Sequence, residues 1–556
     1  MGNFLVAQVH RRPLAALLLI CLLAWLPGFF TLPPLDRDES RFAQASKQML
    51  ETGDFININL GDGPRYEKPA GIYWLQAAST AVFGTGPRNQ IWTYRVPSFV
   101  GALAAVAATF YLVRLFAGVE AAFTAGLLLG MSVLLMSEAK IAKTDAFLLG
   151  CIVVAQAVIM RVYLGVRTPQ SVTPPALGLV MLGWAAFGLG ILIKGPVVAL
   201  VCGASVIAVS LFDRDWRWLS KLHPLLGFAL TLLMVVPWAI AIGIASDGQF
   251  YQQSLGKDFA AKLIGEQETH GGPIGYYALL MHVTFWPGSL ALLPGIVLGI
   301  VRRREPAIRY LLLWAATTWL MFEIAPTKLP HYIMPAYPAL AALCGLWLTS
   351  DTLTPSRVQR AAAYVSLALF VIVGAALAIF VAWAPDQYGN GGTIALYAVS
   401  AAGLGVVLAT LAPALKGRKL AAAGLATLSA AILYYAAGFL AVPRVNELWL
   451  SQRLADAVAR HTMPGDPPVV TAGYAEPSIS FLLGTKTALE SGAGAALIAG
   501  TAGGLALVDS AESESFLALV TAGGGRAQAL DEISGLNYSR GRETRITLYR
   551  VMPREH

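Results

Sequence analysis

Apolar stretches long enough to cross a bilayer recur thirteen times along this chain, beginning near Leu14, Val96, Val119, Asp145, Pro175, Pro196, Leu225, Ile274, Arg309, Tyr332, Ala361, Thr393 and Leu420. About 20 apolar residues suffice for one crossing. The pattern predicts a polytopic α-helical membrane protein. Only 13% of the 556 residues are charged and the mean hydropathy is +0.62, against about 25% charged in soluble domains. The first run, Leu14–Leu32, follows the short basic stretch Met1–Arg12 as a signal peptide would, but no small-residue cleavage site follows it. It reads as a retained first span.

Lysine and arginine in short loops set orientation. If every run spans, alternate loops carry Arg11 and Arg12, Arg114, Arg161 and Arg167, Arg214, Arg217 and Lys221, Arg302–Arg304, Arg357 and Arg360, and Lys416, Arg418 and Lys419. That face is then cytoplasmic. The net charge of +8 is largely this topogenic charge, and its spread over small segments argues against a nucleic-acid patch. The other face receives the 33–95 loop, the turns near 140–145 and 326–331, the 246–273 loop and the C-terminus. After Val442 the composition changes to short β-rich runs (468–471, 505–508, 545–551) alternating with helix-like stretches (451–461, 512–520). The expected organisation is a transmembrane domain over 1–441 and a small α/β domain over 442–556 on the same side as the first loop. Gly492–Gly504 is open as loop or helix. Cys21, Cys151, Cys202 and Cys344 all fall inside spans without ligand spacing and read as small core residues. There is no phosphate-binding glycine loop, so ATP is not indicated.

The placement of charge separates two classes of function. Transporters need polar groups near the midplane. Here Glu138, Lys140, Lys143, Asp145, Lys194, Glu323 and Lys328 sit at span ends that the topology puts on one face. His282 is the polar exception within a span, and Arg309 reads as a snorkelling inner-end arginine. The same face holds Asp36-Arg-Asp-Glu39-Ser-Arg41, which opens an amphipathic helix through Glu51 with Phe42, Ala45, Met49 and Leu50 on one side, a pattern suited to the membrane interface. A proline-bounded turn follows, Arg65-Tyr-Glu67-Lys68-Pro69. Acids and bases gathered beside the bilayer favour a membrane-surface enzyme over a transporter or an inert scaffold. Lysines from several span ends suit a departing phosphate, which needs positive charge and no proton donor. That chemistry requires no cofactor. Glu67, His270 and His331 form a candidate zinc set, although they lack local metal spacing.

These motifs, with Lys143-Thr-Asp145, Lys194-Gly-Pro196 and Lys328-Leu-Pro-His331-Tyr332-Ile-Met-Pro335, resemble the polyprenyl-phosphate-dependent glycosyltransferases of the type C fold. The branch resembled most is the aminoarabinose (4-amino-4-deoxy-L-arabinose lipid A) transferase-like proteins, themselves similar to the protein O-mannosyltransferases. The resemblance spans the whole chain. It implies a multi-pass bacterial inner-membrane protein, monomeric among membrane lipids, that takes a sugar from undecaprenyl phosphate and delivers it at the periplasmic face to lipid A or another envelope acceptor. The stereochemical outcome, inverting or retaining, is open. A protein O-mannosyltransferase-like acceptor is the alternative, and a lipid or sugar transporter is the rival class. Residue by residue it implies Asp38 as the catalytic acid residue with Glu39 beside it, and Lys68, from the Glu67–Lys68 pair, at the donor phosphate. Donor and phosphate binding is expected from Arg41, Arg65, Lys68, Lys143, Asp145, Lys194, Lys262, Lys328, His331 and Tyr332. The chain departs from the branch before the eighth span, where an arginine is expected near the phosphate. Residues 256–273 contain none, and Lys262 takes that place.

Overall fold

The computed structural model describes residues 11–254, 256, 272–350 and 356–553. The expected phosphate ligand Lys262 and the metal candidate His270 lie outside the described residues. Eight helices are long and apolar enough to cross a membrane by length and composition: Ile91–Arg114, Asp145–Arg167, Leu177–Lys194, Pro224–Ala245, Pro306–Ile324, Arg357–Tyr388, Ile394–Leu415 and Lys419–Arg444. The other apolar runs are shorter or broken helices. Pro13–Trp25 has only 13 residues, and the run after Val119 divides into Val119–Gly130 and Val133–Glu138. The run after Ile274 divides into Tyr276–Thr284 and Ser289–Val301, with Pro287 between them; proline cannot donate the helical hydrogen bond there. Among the described residues, helix length and composition alone qualify eight crossings and do not by themselves give the expected count of thirteen.

Small residues let the central helices approach closely, as is usual where lipid supplies no hydrophobic drive. A Cβ on Gly101 would lie 2.3 Å from the Phe147 Cα, and one on Gly71 would lie 2.6 Å from the Leu192 carbonyl oxygen. The first contact fixes the Asp145 end of one helix against Ile91–Arg114. The second brings the Lys68–Pro69 turn beside the Lys194 end of another.

The first loop contains the helix Asp38–Thr52, a two-stranded ribbon of β1 (Asn59–Leu60) and β2 (Gly63–Pro64), and the helix Gly71–Phe83. Phe42, Ala45 and Met49 are buried, as the helical spacing predicts, but so are Gln44, Ser46 and Lys47 on the other sides. The expected solvated polar face is instead covered by the C-terminal domain. Gln44 Nε2 donates to Thr485 Oγ1 at 2.7 Å and Lys47 Nζ to the Phe481 carbonyl at 3.1 Å. Phe481 inserts among Ala43, Ile91, Tyr94 and Ala142, its ring edge-on to Tyr94 at 5.4 Å.

The C-terminal domain is a five-stranded mixed sheet of β3 (Val470–Ala472), β4 (Ala488–Glu490), β5 (Gly504–Asp509), β6 (Arg526–Asn537) and β7 (Arg542–Met552), in the order β4-β3-β5-β7-β6. β3 runs parallel to β4 and β5, and β7 runs antiparallel to β5 and β6. Helices Leu450–His461 and Ser513–Ala522 cover it. Gly492–Ala502 is helical, which settles the glycine- and alanine-rich stretch. Leu454, Leu505, Leu507, Ile546 and Leu548 form one core of this domain. The four cysteines are buried and unbridged.

Candidate functional site

The first-loop helix, the turn after Glu138 and four of the long helices enclose a cavity of about 1340 Å³. Its polar end is lined by Asp38, Arg41, Arg65, Glu67, Lys68, Lys143, Asp145, Lys194, His331 and Tyr332. Sequence separations of nearly 300 residues are thereby closed into one chamber. Its other wall is apolar and aromatic, with Val235, Trp238, Phe250, Met321 and Phe322.

Asp38 and Glu39 are neighbours with opposite surroundings. Both start a helix, where the backbone dipole favours a negative charge. Asp38 is exposed to the cavity and acts electrostatically on both Arg65 and Lys143. Glu39 is 1% exposed. Its oxygens meet Arg95 Nε at 2.8 Å and Nη2 at 2.9 Å, and they accept the backbone N–H groups of Ala142 at 2.8 Å and Leu35 at 2.9 Å. Arg95 itself donates to the carbonyls of Phe29, Leu32 and Pro33. The expectation of a second catalytic carboxylate at Glu39 is therefore corrected. Its charge is neutralised, and it ties the end of the first helix, the loop and the 139–144 turn together.

Asp145 also takes a different role. An anion is a poor ligand for phosphate, and its oxygens are occupied by cations. Lys194 Nζ bonds Oδ1, His331 Nε2 lies 3.7 Å from the same oxygen, and Lys143 Nζ lies 3.9 Å from Oδ2 and 3.2 Å from Glu138 Oε1. Asp145 gathers the basic groups that a phosphate would meet. Burial alone pushes the Lys143 pKa down, but Glu138 and Asp145 outweigh it and hold the ammonium well above the ordinary lysine range. Lys194 also sits over the Tyr332 ring at 5.4 Å, and the Arg65 guanidinium over Phe42 at 5.3 Å. These contacts fix the direction of otherwise flexible cations.

Lys328 is not part of the chamber. Its Nζ bonds Glu323 Oε1 at 2.9 Å and the Pro273 carbonyl at 3.0 Å, with its side chain 5% exposed. The expectation that it binds phosphate is corrected: it fastens the end of Pro306–Ile324 to the chain entering at 273. Glu67 forms an ion pair with Arg65 at 3.0 Å, and among the described residues no three His, Cys, Asp or Glu side chains gather as a metal site. Of the acids bordering the cavity, Glu39 is neutralised and Asp36 is turned into the C-terminal domain. Arg41, Arg65, Lys68, Lys143 and Lys194 then outnumber the lining carboxylates Asp38, Glu67 and Asp145, an arrangement suited to holding a phosphate.

Reasoning from sequence missed Arg95, which reads there as the basic end of a loop, and the C-terminal contacts to Asp36 and Arg37. An arginine at the start of an apolar run, where a charge is costly, is the one available signal for the first.

Residues 67–240 match the family model of dolichyl-phosphate-mannose-protein mannosyltransferases. Undecaprenyl phosphate-α-4-amino-4-deoxy-L-arabinose arabinosyl transferases are 28% identical: that of Pseudomonas paraeruginosa over 345 residues, 61% of this chain and 60% of the relative, and that of Pseudomonas aeruginosa over 378 residues, 66% of each. The chain thus spans about two thirds or less of the length of the curated relatives it matches. The crystal structure of ArnT from Cupriavidus metallidurans bound to undecaprenyl phosphate superimposes with a TM-score of 0.74 at 19% identity, over 96% of this chain and 97% of that one; the apo form gives 0.71. The chain has the type C glycosyltransferase fold.

Proposed function

We propose that this protein is a glycosyltransferase that moves 4-amino-4-deoxy-L-arabinose or a related sugar from undecaprenyl phosphate to lipid A or another envelope acceptor, at the periplasmic face of the inner membrane. The observation that carries the reading is the chamber itself. Two exposed carboxylates, Asp38 and the Arg65-paired Glu67, face Arg41, Lys68, Lys143 and Lys194 above an apolar wall. The curated relatives are named as undecaprenyl phosphate-α-4-amino-4-deoxy-L-arabinose arabinosyl transferases, and a solved protein of the same fold is bound to undecaprenyl phosphate.

In the reaction an acceptor oxygen forms a bond to the anomeric carbon while the bond from that carbon to the phosphate oxygen breaks. The electron pair leaves with undecaprenyl phosphate, which departs as a dianion above its second ionisation near pH 6. Positive charge already in place is most effective at this moment, because it strengthens as the leaving charge develops. Arg65, Lys68, Lys143 and Lys194 are placed to supply it, with Arg41, His331 and Tyr332 lining the same chamber. Lys262 is proposed to join them from the 256–273 loop. If the acceptor is a hydroxyl, Asp38 takes its proton as general base. If it is a lipid A phosphate, the oxygen is already anionic and Asp38 orients the acceptor or the amino group of the sugar. A protein hydroxyl is the second reading, favoured by the match of residues 67–240 to the protein mannosyltransferase model.

The decisive measurement is mass spectrometry of lipid A and core from a deletion strain beside its parent. Loss of an aminopentose or related sugar mass supports the main reading. Unchanged lipopolysaccharide with altered glycoproteins moves the acceptor to protein. A purified protein that moves donor across liposomes without releasing undecaprenyl phosphate would make it a transporter.

A further inference from the structure

The backbone that presents Asp38 is held from two sides. On the membrane side stands the Glu39–Arg95 pair. On the other side stand residues more than 400 positions away. Tyr538 Oη accepts the Asp36 backbone N–H at 2.7 Å, the Ser478 hydroxyl donates to Asp36 Oδ1, and the Arg37 guanidinium donates to the Ser539 carbonyl. Between these anchors Arg37 has φ +65°, a region that side chains other than glycine rarely adopt. Such a conformation persists only where the surroundings over-determine it, and it is met often at active sites. Asp38 is the next residue and the first of its helix.

The anchors are rigid on their own side. Ser478 is 0% exposed and Ser451 5%. Ser478 Oγ bonds Ser451 Oγ, which bonds Tyr474 Oη at 2.7 Å, and Tyr474 packs in the domain core. Tyr538 follows β6, whose last residue Asn537 donates to the buried Glu476 at 2.9 Å. A connected buried network transmits its geometry better than isolated bonds do. From sequence, 473–478 and 535–542 are turn-rich and polar, open as structural turns or as contacts to a headgroup or acceptor.

We propose that Ser478 and Tyr538 are positioning residues for Asp38, so that the C-terminal domain completes the reaction centre. This rests on the glycosyltransferase reading. Through Asp36 they hold the strained Arg37 backbone and thereby aim the Asp38 carboxylate into the chamber. Neither lines the chamber, so neither is expected to touch the donor.

The test uses the full chain in detergent, with synthetic 4-amino-4-deoxy-arabinosyl polyprenyl phosphate as donor and lipid A as acceptor. Ser478→Ala and Tyr538→Phe, singly and together, are compared with Ser478→Thr and Asp38→Asn. A displacement of about 1 Å can cost about 100-fold in rate, so a fall in kcat of about 10- to 100-fold is expected for the double variant. Its donor KM should stay within about twofold, its thermal midpoint should be unchanged, and Ser478→Thr should recover most of the rate. Normal kcat in the double variant, or a loss that follows the thermal midpoint in both single variants, overturns the inference. If the wild type is inactive with this donor, or if Asp38→Asn transfers normally, the glycosyltransferase reading fails instead. An inactive Asp38→Asn beside a fully active double variant leaves that reading standing and removes only the positioning role.

Discussion

Two clusters of buried charge lie at opposite ends of the helix Asp145–Arg167, and they solve different problems. At one end Asp145 meets Lys143, Lys194 and His331 on the wall of a large cavity. At the other end Asp213 meets Arg167 at 3.0 Å, Arg309 at 3.0 Å and the Tyr163 hydroxyl at 2.8 Å, and Asp215 takes a second contact from Arg167 at 3.1 Å. Two acids face two arginines there, and none of the four lines the cavity of the candidate site. Arg309, expected to snorkel, is an ion-pair partner with its side chain 15% exposed. Buried ion pairs alone therefore do not mark a site. What distinguishes the cluster at Asp145 is that it borders a large cavity.

The largest effects should come from the end that borders the cavity. Asp38→Asn is expected to lower transfer by about 100-fold or more, the range for loss of a general base, while membrane insertion and the thermal midpoint stay near wild type, since Asp38 is exposed. Lys194→Ala should lower kcat by about 100-fold, comparable to removal of one preorganised charge donor. Near-normal transfer by both, measured as released undecaprenyl phosphate, would break the contrast by making the outer cluster as inert as the inner one.

The cluster at Asp213 should respond in stability instead. Removing one partner of a buried ion pair costs about 3–5 kcal/mol. Asp213→Asn, with a side chain 5% exposed, should lower the thermal midpoint and the yield while the kcat of the folded fraction remains within about twofold. Glu39→Gln belongs with it, although Glu39 is next to Asp38. Its loss should appear first as poor folding, since Arg95 would be left buried without its anion. A kcat loss in Asp213→Asn at unchanged stability would show that the two ends communicate.

Lys328→Ala sharpens the distinction within the outer face. Lys328 is three residues before His331, yet its ammonium is taken by Glu323 and the Pro273 carbonyl. Donor KM should change by less than about threefold, against the much larger effect at Lys194. Equal effects would return Lys328 to the phosphate site.

Hydropathy and charge position made most of this architecture legible. An apolar run predicts a helix because unpaired backbone groups cannot remain in lipid, and a charged residue at its end predicts a polar face. That reasoning placed Asp38, Lys68, Lys143, Lys194 and His331 near one another. A scan for apolar runs passed over the breaks at Gly130–Ser132 and Phe285–Gly288, although Pro287-Gly288 is a sequence signal for the second. It could not assign partners either. Whether a carboxylate works or is sealed depends on which cation reaches it, and Arg95 reaches Glu39 across 56 positions of chain. The clasp at Asp36 spans 442 and 502 positions, and serine and tyrosine in a glycine-rich turn carry no sequence signal of it.

The smallest expected effect tests that clasp by pH. Burial, the largest influence, pushes the Asp36 pKa up to about 6. The Ser478 hydrogen bond lowers it, the Glu476 charge raises it, and Tyr538 and Arg37 oppose burial more weakly; Tyr474 is the remaining titratable group facing it. A carboxyl raised in the folded protein above its ordinary value of 3.8 holds its proton more tightly when folded. Its contribution to stability is then full below about pH 4, falls as the pH rises towards about 6, and is lost above that. The wild type should therefore gain thermal stability on going from pH 7.5 to pH 5 relative to Asp36→Asn, which cannot titrate there. The midpoint difference between the two proteins, measured at both pH values, isolates Asp36 from every other acid. Parallel pH dependence in the two proteins would mean that Asp36 titrates as a solvated loop carboxylate, and that the C-terminal domain does not seal it.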